Sequence, residues 1–411
     1  MMCRCREPPG WKRLQARARA EDCSVTGEAG ERGDALQLVV SNMSGAYVAA
    51  CTSAGTRVLS CVEEAYSSGS RQLLANGHRT VELLDARLVD LDIAPLAVAM
   101  EESNPFAAVD LSYNTLGAGA ASSLSKLIAA DGTIEVLDLS ENDFDAICAE
   151  KICAGLKANS SIKVVRLSGN KIGGAGGMAV ADMLQSSTTV QRIYLSNCEL
   201  DTQSLVALAT VLRDNNSLTV LDVSRPLSKT IMDESAGHLA RMLKVNTSLV
   251  ELDISKSGLR DFGLQLICEE LYRAGASSQL QVLAARGNQI SLVDEGCVGA
   301  LSLLLSSAEC RLAELLIGGN SLRDEGAMKL ADIITNSRSL LHLDVGSNSI
   351  TSKGLCALAR AVGQHNTLQE MELWGNRFDS AACLAWIPSL QFLKLDIAVQ
   401  EVDGAYNAVR C

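Results

Sequence analysis

A glycine-rich stretch, RLSGNKIGGAGGMAVADML at residues 166–184, has the residue order of a dinucleotide-binding fingerprint. In that fingerprint a short apolar strand leads into glycines, and the N-terminus of the following helix holds a pyrophosphate. Gly174 and Gly176 would allow the close backbone approach that a pyrophosphate needs. The stretch therefore raises the hypothesis of a nucleotide cofactor.

The other reactive residues form no catalytic motif. His78, His238, His342 and His365 are far apart, with no serine or cysteine at a recognisable spacing, and neither H-E-x-x-H nor a P-loop occurs. The 14 cysteines are spread along the chain without a C-x-x-C pair, which is typical of reduced thiols in an intracellular protein. We expect a non-enzymatic protein with no metal and no small-molecule cofactor.

Charge and hydropathy limit the partners. The net charge of −12 and the sequence pI of about 5.0 argue against nucleic-acid binding, because nucleic acid repels a net anion. No signal-peptide pattern and no apolar run of the ~20 residues that a spanning helix needs is visible, so we expect no membrane association and a cytoplasmic location. A basic cluster within residues 1–20 leaves open a targeting role for the N-terminus.

An internal repeat runs along most of the chain. The pattern I-x-x-L-x-L-x-x-N-x-F from Ile134 to Phe144 returns 28 residues later from Ile162, and again 28 residues later from Val190. The same frame starts at Phe106, Leu218, Leu249, Leu280, Leu312, Leu340 and Leu368, with a degenerate copy from Val81 and a closing copy from Leu390. The chain is therefore expected to be an array of about 11–12 similar units.

This pattern, L-x-x-L-x-L-x-x-N/C-x-L, resembles the leucine-rich repeat family, and the unit length of 28 to 32 residues is similar to its ribonuclease-inhibitor-like subfamily. The resemblance implies an α/β solenoid shaped as a horseshoe, with parallel β-strands on the concave face and α-helices on the convex face. We predict a disordered basic N-terminus at residues 1–35, a helical cap at 36–80, the solenoid at 81–400 and a C-terminal tail at 401–411.

The phase within a unit predicts the role of each side chain. Leu137 and Leu139 alternate with Asp138, so the leucines should point into the solenoid and Asp138 outward. Asn142 follows where the chain turns away, and its amide can bond backbone groups of adjacent turns. Equivalent positions form a predicted ladder of Asn114, Asn142, Asn170, Cys198, Asn288, Asn320, Asn348 and Asn376, which Pro226 and Ser257 interrupt.

The same phase argument rejects the nucleotide hypothesis. Gly176 is equivalent to Gly354 and to glycines of two other units, so it most simply permits close approach of a helix to the neighbouring turn. At the place of Gly174 two other units have Asp261 and Asp324, whose carboxylates would repel a phosphate. These glycines are therefore predicted to serve the repeat.

Outward strand residues are the candidates for partner binding. One group would place basic and aromatic side chains in the middle of the arc: Arg166, Arg192, Tyr194, Arg225, Lys256 and Arg286. A second group would place a tryptophan among acids: His342, Asp344, Glu370, Glu372 and Trp374. Arginine and aromatic residues carry much of the binding energy at interfaces, and an acidic wall favours a partner with a basic surface.

The predicted function is a protein-binding scaffold. The segment at residues 36–75 looks similar to the lead-in of stand-alone repeat proteins of cilia and centrosomes, which implies a ciliary or cytoskeletal setting. The alternatives are a GTPase activator like the Ran-activating members, whose acidic tail this chain lacks, and an inhibitor or sensor module like ribonuclease inhibitor. The longer units within residues 218–311 either contact a partner or accommodate an insertion.

Overall fold

The computed structural model describes residues 33–75, 87–226, 233–364, 367–402 and 404–411, with the side chains of residues 33–43 left out. Its helices are Gly33–Ala54 (α1), Ser60–Ser67 (α2), Asp90–Glu102 (α3), Ala118–Ala130 (α4), Ala146–Ala158 (α5), Gly173–Ser186 (α6), Thr202–Val211 (α7), Asp233–Val245 (α8), Asp261–Ala274 (α9), Glu295–Ser306 (α10), Arg323–Ile334 (α11), Ser352–Val362 (α12) and Ser380–Trp386 (α13).

The strands alternate with these helices along most of the chain. They are Gln72–Leu74 (β1), Ala108–Asp110 (β2), Val136–Asp138 (β3), Val164–Arg166 (β4), Arg192–Tyr194 (β5), Val220–Asp222 (β6), Glu251–Asp253 (β7), Val282–Ala284 (β8), Glu314–Leu316 (β9), His342–Asp344 (β10), Glu370–Glu372 (β11), Lys394–Leu395 (β12), Ile397–Val402 (β13) and Ala405–Arg410 (β14). Among the described residues, no helix has both the length and the apolar character to cross a membrane.

The first twelve strands form one parallel sheet in sequence order, which confirms the predicted solenoid. Residues of equal phase lie opposite each other, so that Asp138 pairs with Arg166 and Arg166 with Tyr194. In strands β1 to β11 the middle residue is buried, as for Leu137 and Val165, whereas its two neighbours face the concave side. One apolar core runs beneath the sheet from Tyr47 to Ile397.

An asparagine ladder joins consecutive units at the ends of the strands. The Asn142 Nδ2 group donates to the carbonyl oxygens of Leu139 in its own unit and of Leu111 in the preceding one. Cys198 takes the asparagine position in its unit, and its Sγ donates to Leu167 O of the preceding unit. The hydroxyl of Ser257 donates to Ile254 O of its own unit and is 3.3 Å from Asn288 Oδ1 of the next unit, so within the described residues it makes no bond to the preceding unit.

A second asparagine ladder lies at the other end of the helices, and the sequence analysis overlooked it. Asn159 Nδ2 donates to Ile128 O and Asp131 O of the preceding unit. Asn215 and Asn246 are buried and make equivalent bonds two and three units later. In the sequence these residues look like N-x-S/T glycosylation sites, but here their amides tie the turns together.

The repeat glycines lie where helices pack closely. A Cβ on Gly176 would come within 2.6 Å of Ile172 Cβ and 3.1 Å of Ala149 Cβ. In the unit that starts at Leu249, Asp261 takes the place of Gly174. Its carboxylate accepts hydrogen bonds from the N–H groups of Ser291 and Leu292 in the next turn. Burial alone would raise the pKa of Asp261, but these hydrogen bonds hold it below its usual value.

The two ends of the array have their own structure. Helices α1 and α2 lie before the sheet, where the ring of Tyr66 packs at a tilt against that of Phe106, with centroids 4.9 Å apart. Strand β1 already begins at Gln72, inside the range predicted for the helical cap, whereas the copy expected from Val81 and the segment 1–32 fall outside the described residues. At the other end, β13 and β14 form an antiparallel hairpin that includes most of the predicted tail.

Candidate partner-binding site

The predicted binding residues lie on or just after concave strands and fall into two groups. We call Arg166, Arg192, Tyr194, Arg225 and Lys256, on strands β4 to β7, the central segment. We call Arg286, His342, Asp344, Glu370, Glu372 and Trp374, on strands β8 to β11, the C-terminal segment. The sequence analysis placed Arg286 with the central cations, whereas the structure brings it to the acids of the C-terminal segment.

A cation–π pair lies in the middle of the central segment. The Arg166 guanidinium carbon is 5.1 Å from the centroid of the Tyr194 ring, and both side chains are half-buried. The pairing follows from register, because Arg166 on β4 is directly opposite Tyr194 on β5. Such a contact contributes about 0.5–1 kcal/mol at an exposed site and holds both groups in fixed positions. Arg192 lies two residues before Tyr194 on the same face.

Two exposed cations follow the next strands. Arg225 and Lys256 come three residues after the ends of β6 and β7, with φ angles of 52° and 55°. This left-handed backbone is uncommon for residues with a side chain. Each N–H donates to the next unit, from Arg225 to Ser255 O and from Lys256 to Arg286 O. The strained turns therefore place both charges at the rim of the concave face.

An acidic pair is buried beside these cations, and the sequence analysis did not include it among the candidate binding residues. Asp222 and Asp253 are directly opposite on β6 and β7. Burial, together with repulsion from Asp253, raises the pKa of Asp222 to about 8. Burial also raises the pKa of Asp253, although Arg286 opposes the shift. Asp222 is therefore mostly protonated at neutral pH, and no cation of the partner-binding groups is needed to neutralise it.

In the C-terminal segment, Arg286 extends across β9 to acids on the next two strands. Its Nε donates to Asp344, and its Nη2 is 3.4 Å from Glu372 Oε1. The side chain is only 10% exposed, so its charge is turned to these acids rather than to solvent. Space for the contact comes from Gly318, because a Cβ there would collide with the Asp344 carboxylate.

His342 lies between Glu314 on β9 and Glu372 on β11. Its Nδ1 is 3.3 Å from Glu314 Oε2, and its Nε2 is 3.3 Å from Glu372 Oε1. Burial lowers the pKa of His342, but the two carboxylates outweigh burial and the net shift is upward. Glu370, opposite His342 on β11, is 3.3 Å from Lys394 Nζ.

Trp374 is the exposed aromatic residue at the rim of the C-terminal segment. Trp374 comes two residues after the end of β11, and it is 37% exposed. The backbone N–H of Trp374 donates to the Asp396 carboxylate, which fixes the turn. Burial raises the pKa of Asp396, and the N–H donors of Leu373 and Trp374 oppose that shift.

The parallel sheet, the repeat phase and the ladders define a leucine-rich repeat solenoid. The chain is a leucine-rich repeat protein, and the family described as "Leucine Rich repeat" matches it at residues 158–181, 245–268 and 336–359. Among solved structures, Rad7 from the yeast Rad7 and Elc1 complex is similar in fold, with a TM-score of 0.53 and 14% identity over 92% of this chain and 90% of that one.

Curated relatives match parts of the chain. Leucine-rich repeat-containing protein 34 of Homo sapiens is 30% identical over 196 residues, which cover 42% of this chain and 36% of that protein. The mouse protein of the same name is 37% identical over 82 residues, or 20% of this chain and 19% of that protein. Ribonuclease inhibitor of Sus scrofa is 33% identical over 93 residues, or 23% and 19%. The matches thus span at most about a third of these relatives.

Proposed function

We propose that the chain binds a partner protein on its concave face, with the central segment as the main contact. The observation that carries the proposal is the Arg166–Tyr194 pair, half-buried in the middle of the sheet and followed at the rim by exposed Arg225 and Lys256. Arginine and tyrosine are enriched among the residues that dominate binding energy, and a fixed pair loses little entropy on binding.

The favoured partner has a basic surface. The chain carries a net charge of −12, which attracts a cationic protein over distances longer than a direct contact. On the concave face, Glu370 of the C-terminal segment is partly exposed and would receive a lysine or arginine of the partner. The cations of the central segment would then contact carbonyl or carboxylate groups elsewhere on the partner.

The test is affinity purification with the double variant Arg166→Ala and Tyr194→Ala. We expect the specific partner to be lost, because the variant removes both members of the central pair. Arg241→Ala is the matched control, since Arg241 is exposed on helix α8, away from the concave strands. Retention of every specific partner by the double variant would exclude the central segment. A ciliary or cytoskeletal setting is part of the proposal and predicts proteins of those structures among the captured partners.

A second candidate function is inhibition of a basic enzyme. The partial identity of 32–33% to ribonuclease inhibitors of pig and mouse favours it. Calorimetric titration with a basic pancreatic-type ribonuclease tests this candidate directly. Tight binding that Trp374→Ala weakens would support it, whereas no heat of binding at micromolar protein would reject it.

A further inference from the structure

Three side chains of the C-terminal segment converge on one point of the concave face. His342 on β10 and Glu370 and Glu372 on β11 offer donor atoms that all lie within 4.8 Å of one another. We propose that these residues bind a divalent transition-metal ion of the zinc class. The proposal does not depend on partner binding by the central segment.

The histidine is oriented as a metal ligand would be. Glu314 is 3.3 Å from Nδ1 of His342, and a proton held on that nitrogen leaves the lone pair on Nε2. Metal-bound histidines usually donate their second ring N–H to a carboxylate in this way, which fixes the ring and raises the basicity of the ligand. Glu314 is therefore a positioning residue of the site.

The Nε2 atom of His342 is available to a metal ion. It is buried and makes no hydrogen bond within the described part of the chain. Glu372 Oε1 is 3.3 Å away, but the two atoms are not aligned as donor and acceptor. A lone pair on Nε2 that faces Glu372 is repulsive, and the repulsion is relieved when the nitrogen takes up a proton or when a metal ion lies between the two atoms. A metal ion would in addition bind Glu370, whose donor atom lies within 4.8 Å of both.

Distances and backbone support suit a small cation. Two ligands of one tetrahedral zinc ion, each at about 2.0–2.1 Å, are separated by roughly 3.3 Å, which is close to the distance between His342 Nε2 and Glu372 Oε1. His342 and Glu370 are directly opposite on hydrogen-bonded strands, and Glu372 follows on the same face. The donors are thus carried by the sheet and not by loops.

The local charge leaves room for two positive charges. In and around this segment the four carboxylates of Glu314, Asp344, Glu370 and Glu372 face two cations, Arg286 and Lys394. The carboxylates outnumber these cations by 4 − 2 = 2, an excess that attracts a divalent ion. Arg286 makes its close contact with Asp344, and its distance to Glu372 is 3.4 Å, so the carboxylates of β11 can still coordinate.

Sequence motifs do not show this set, because its members belong to different units. His342 and Glu370 are 370 − 342 = 28 residues apart, one full repeat, and no short ligand spacing connects them. The signal is a histidine at a concave strand position with a glutamate at the same phase of the next unit.

The test uses the full chain, treated with EDTA and desalted, and titrated with Zn²⁺ by calorimetry. We expect saturable binding to one site, weakened at least about tenfold by Glu370→Gln and by His342→Gln. Glu251→Gln is the matched control, because Glu251 has the phase of Glu370 on β7, and it should bind as the unaltered chain does. Far-UV circular dichroism verifies that each variant is folded.

A Co²⁺ spectrum separates this site from the cysteines. Coordination by His342 and the two glutamates gives visible d–d bands without a thiolate-to-cobalt charge-transfer band in the near ultraviolet. The absence of saturable binding, an affinity that Glu370→Gln leaves unchanged, or a thiolate band would each overturn the proposal. Glu370→Gln keeps the test valid even if His342→Gln does not fold, because the Glu370 side chain is partly exposed.

Discussion

The central and C-terminal segments occupy the same strand positions of one sheet but use their charges differently. In the central segment, Arg166 lies against Tyr194, and the acids Asp222 and Asp253 are buried beside them. In the C-terminal segment, Arg286 crosses a strand to reach Asp344 and Glu372. The comparison teaches that the phase of a residue fixes which face it occupies, whereas its neighbours decide whether its charge faces a partner.

The largest loss in the free energy of unfolding is expected when one acid of the C-terminal segment is removed. Asp344→Ala leaves Arg286 as a buried cation without its close partner and should lower the free energy of unfolding by about 3–5 kcal/mol. Guanidinium denaturation measures it. The double variant Arg286→Met with Asp344→Leu removes both charges and should recover most of the loss. A cost under about 1 kcal/mol for Asp344→Ala would mean that Arg286 is solvated.

A side chain at position 318 would fill the space that Gly318 leaves for the Asp344 carboxylate. A Cβ at this position would be 2.5 Å from both Asp344 carboxylate oxygens, so Gly318→Ala must displace the ion pair with Arg286. We expect a loss of about 1–3 kcal/mol in the free energy of unfolding. Gly132→Ala is the control, because no atom lies within 4 Å of a Cβ there. Equal effects of the two substitutions would show that Asp344 moves without cost.

The acidic pair of the central segment should make stability depend on pH. Between pH 4 and 8, folded Asp222 keeps a proton that the unfolded chain has released, so the free energy of unfolding falls as pH rises. Asp222→Asn mimics the protonated group and should stabilise the chain by about 1–2 kcal/mol at pH 8, with little effect near pH 4. Melting curves at both pH values measure it, and a gain that is the same at both would contradict the assignment.

The smallest effect on folding is expected at the central cation–π pair. Arg166→Ala should cost only about 0.5–1 kcal/mol, because the Tyr194 ring retains its position in the sheet. Thermal melting of the single variant provides the measurement. A loss above about 3 kcal/mol would place Arg166 in a network like that of Arg286 and remove the contrast between the segments.

The fold could be predicted from the sequence because the repeat period determines which residues of each unit are buried. Residues such as Leu137 and Val165 recur at one phase, and a parallel sheet with buried central residues follows directly. The contacts of Arg286 could not be predicted, because they depend on a long side chain that spans two strands and on the space above Gly318. The bonds of Asn159 were missed for another reason, since its N-x-S pattern also fits an unrelated glycosylation signal.

The interruption of the first asparagine ladder has a mechanical consequence. Pro226 replaces asparagine in a unit that Asn246 fastens to the preceding coil at the helix ends, and Ser257 replaces it in the next unit; among the described residues, neither side chain bonds the preceding coil at the strand ends. Because each unit of a solenoid is held only by its neighbours, strain concentrates at the weakest junction. The horseshoe should therefore bend at this junction about the edge formed by the helix ends, and its curvature beside Tyr194 should change.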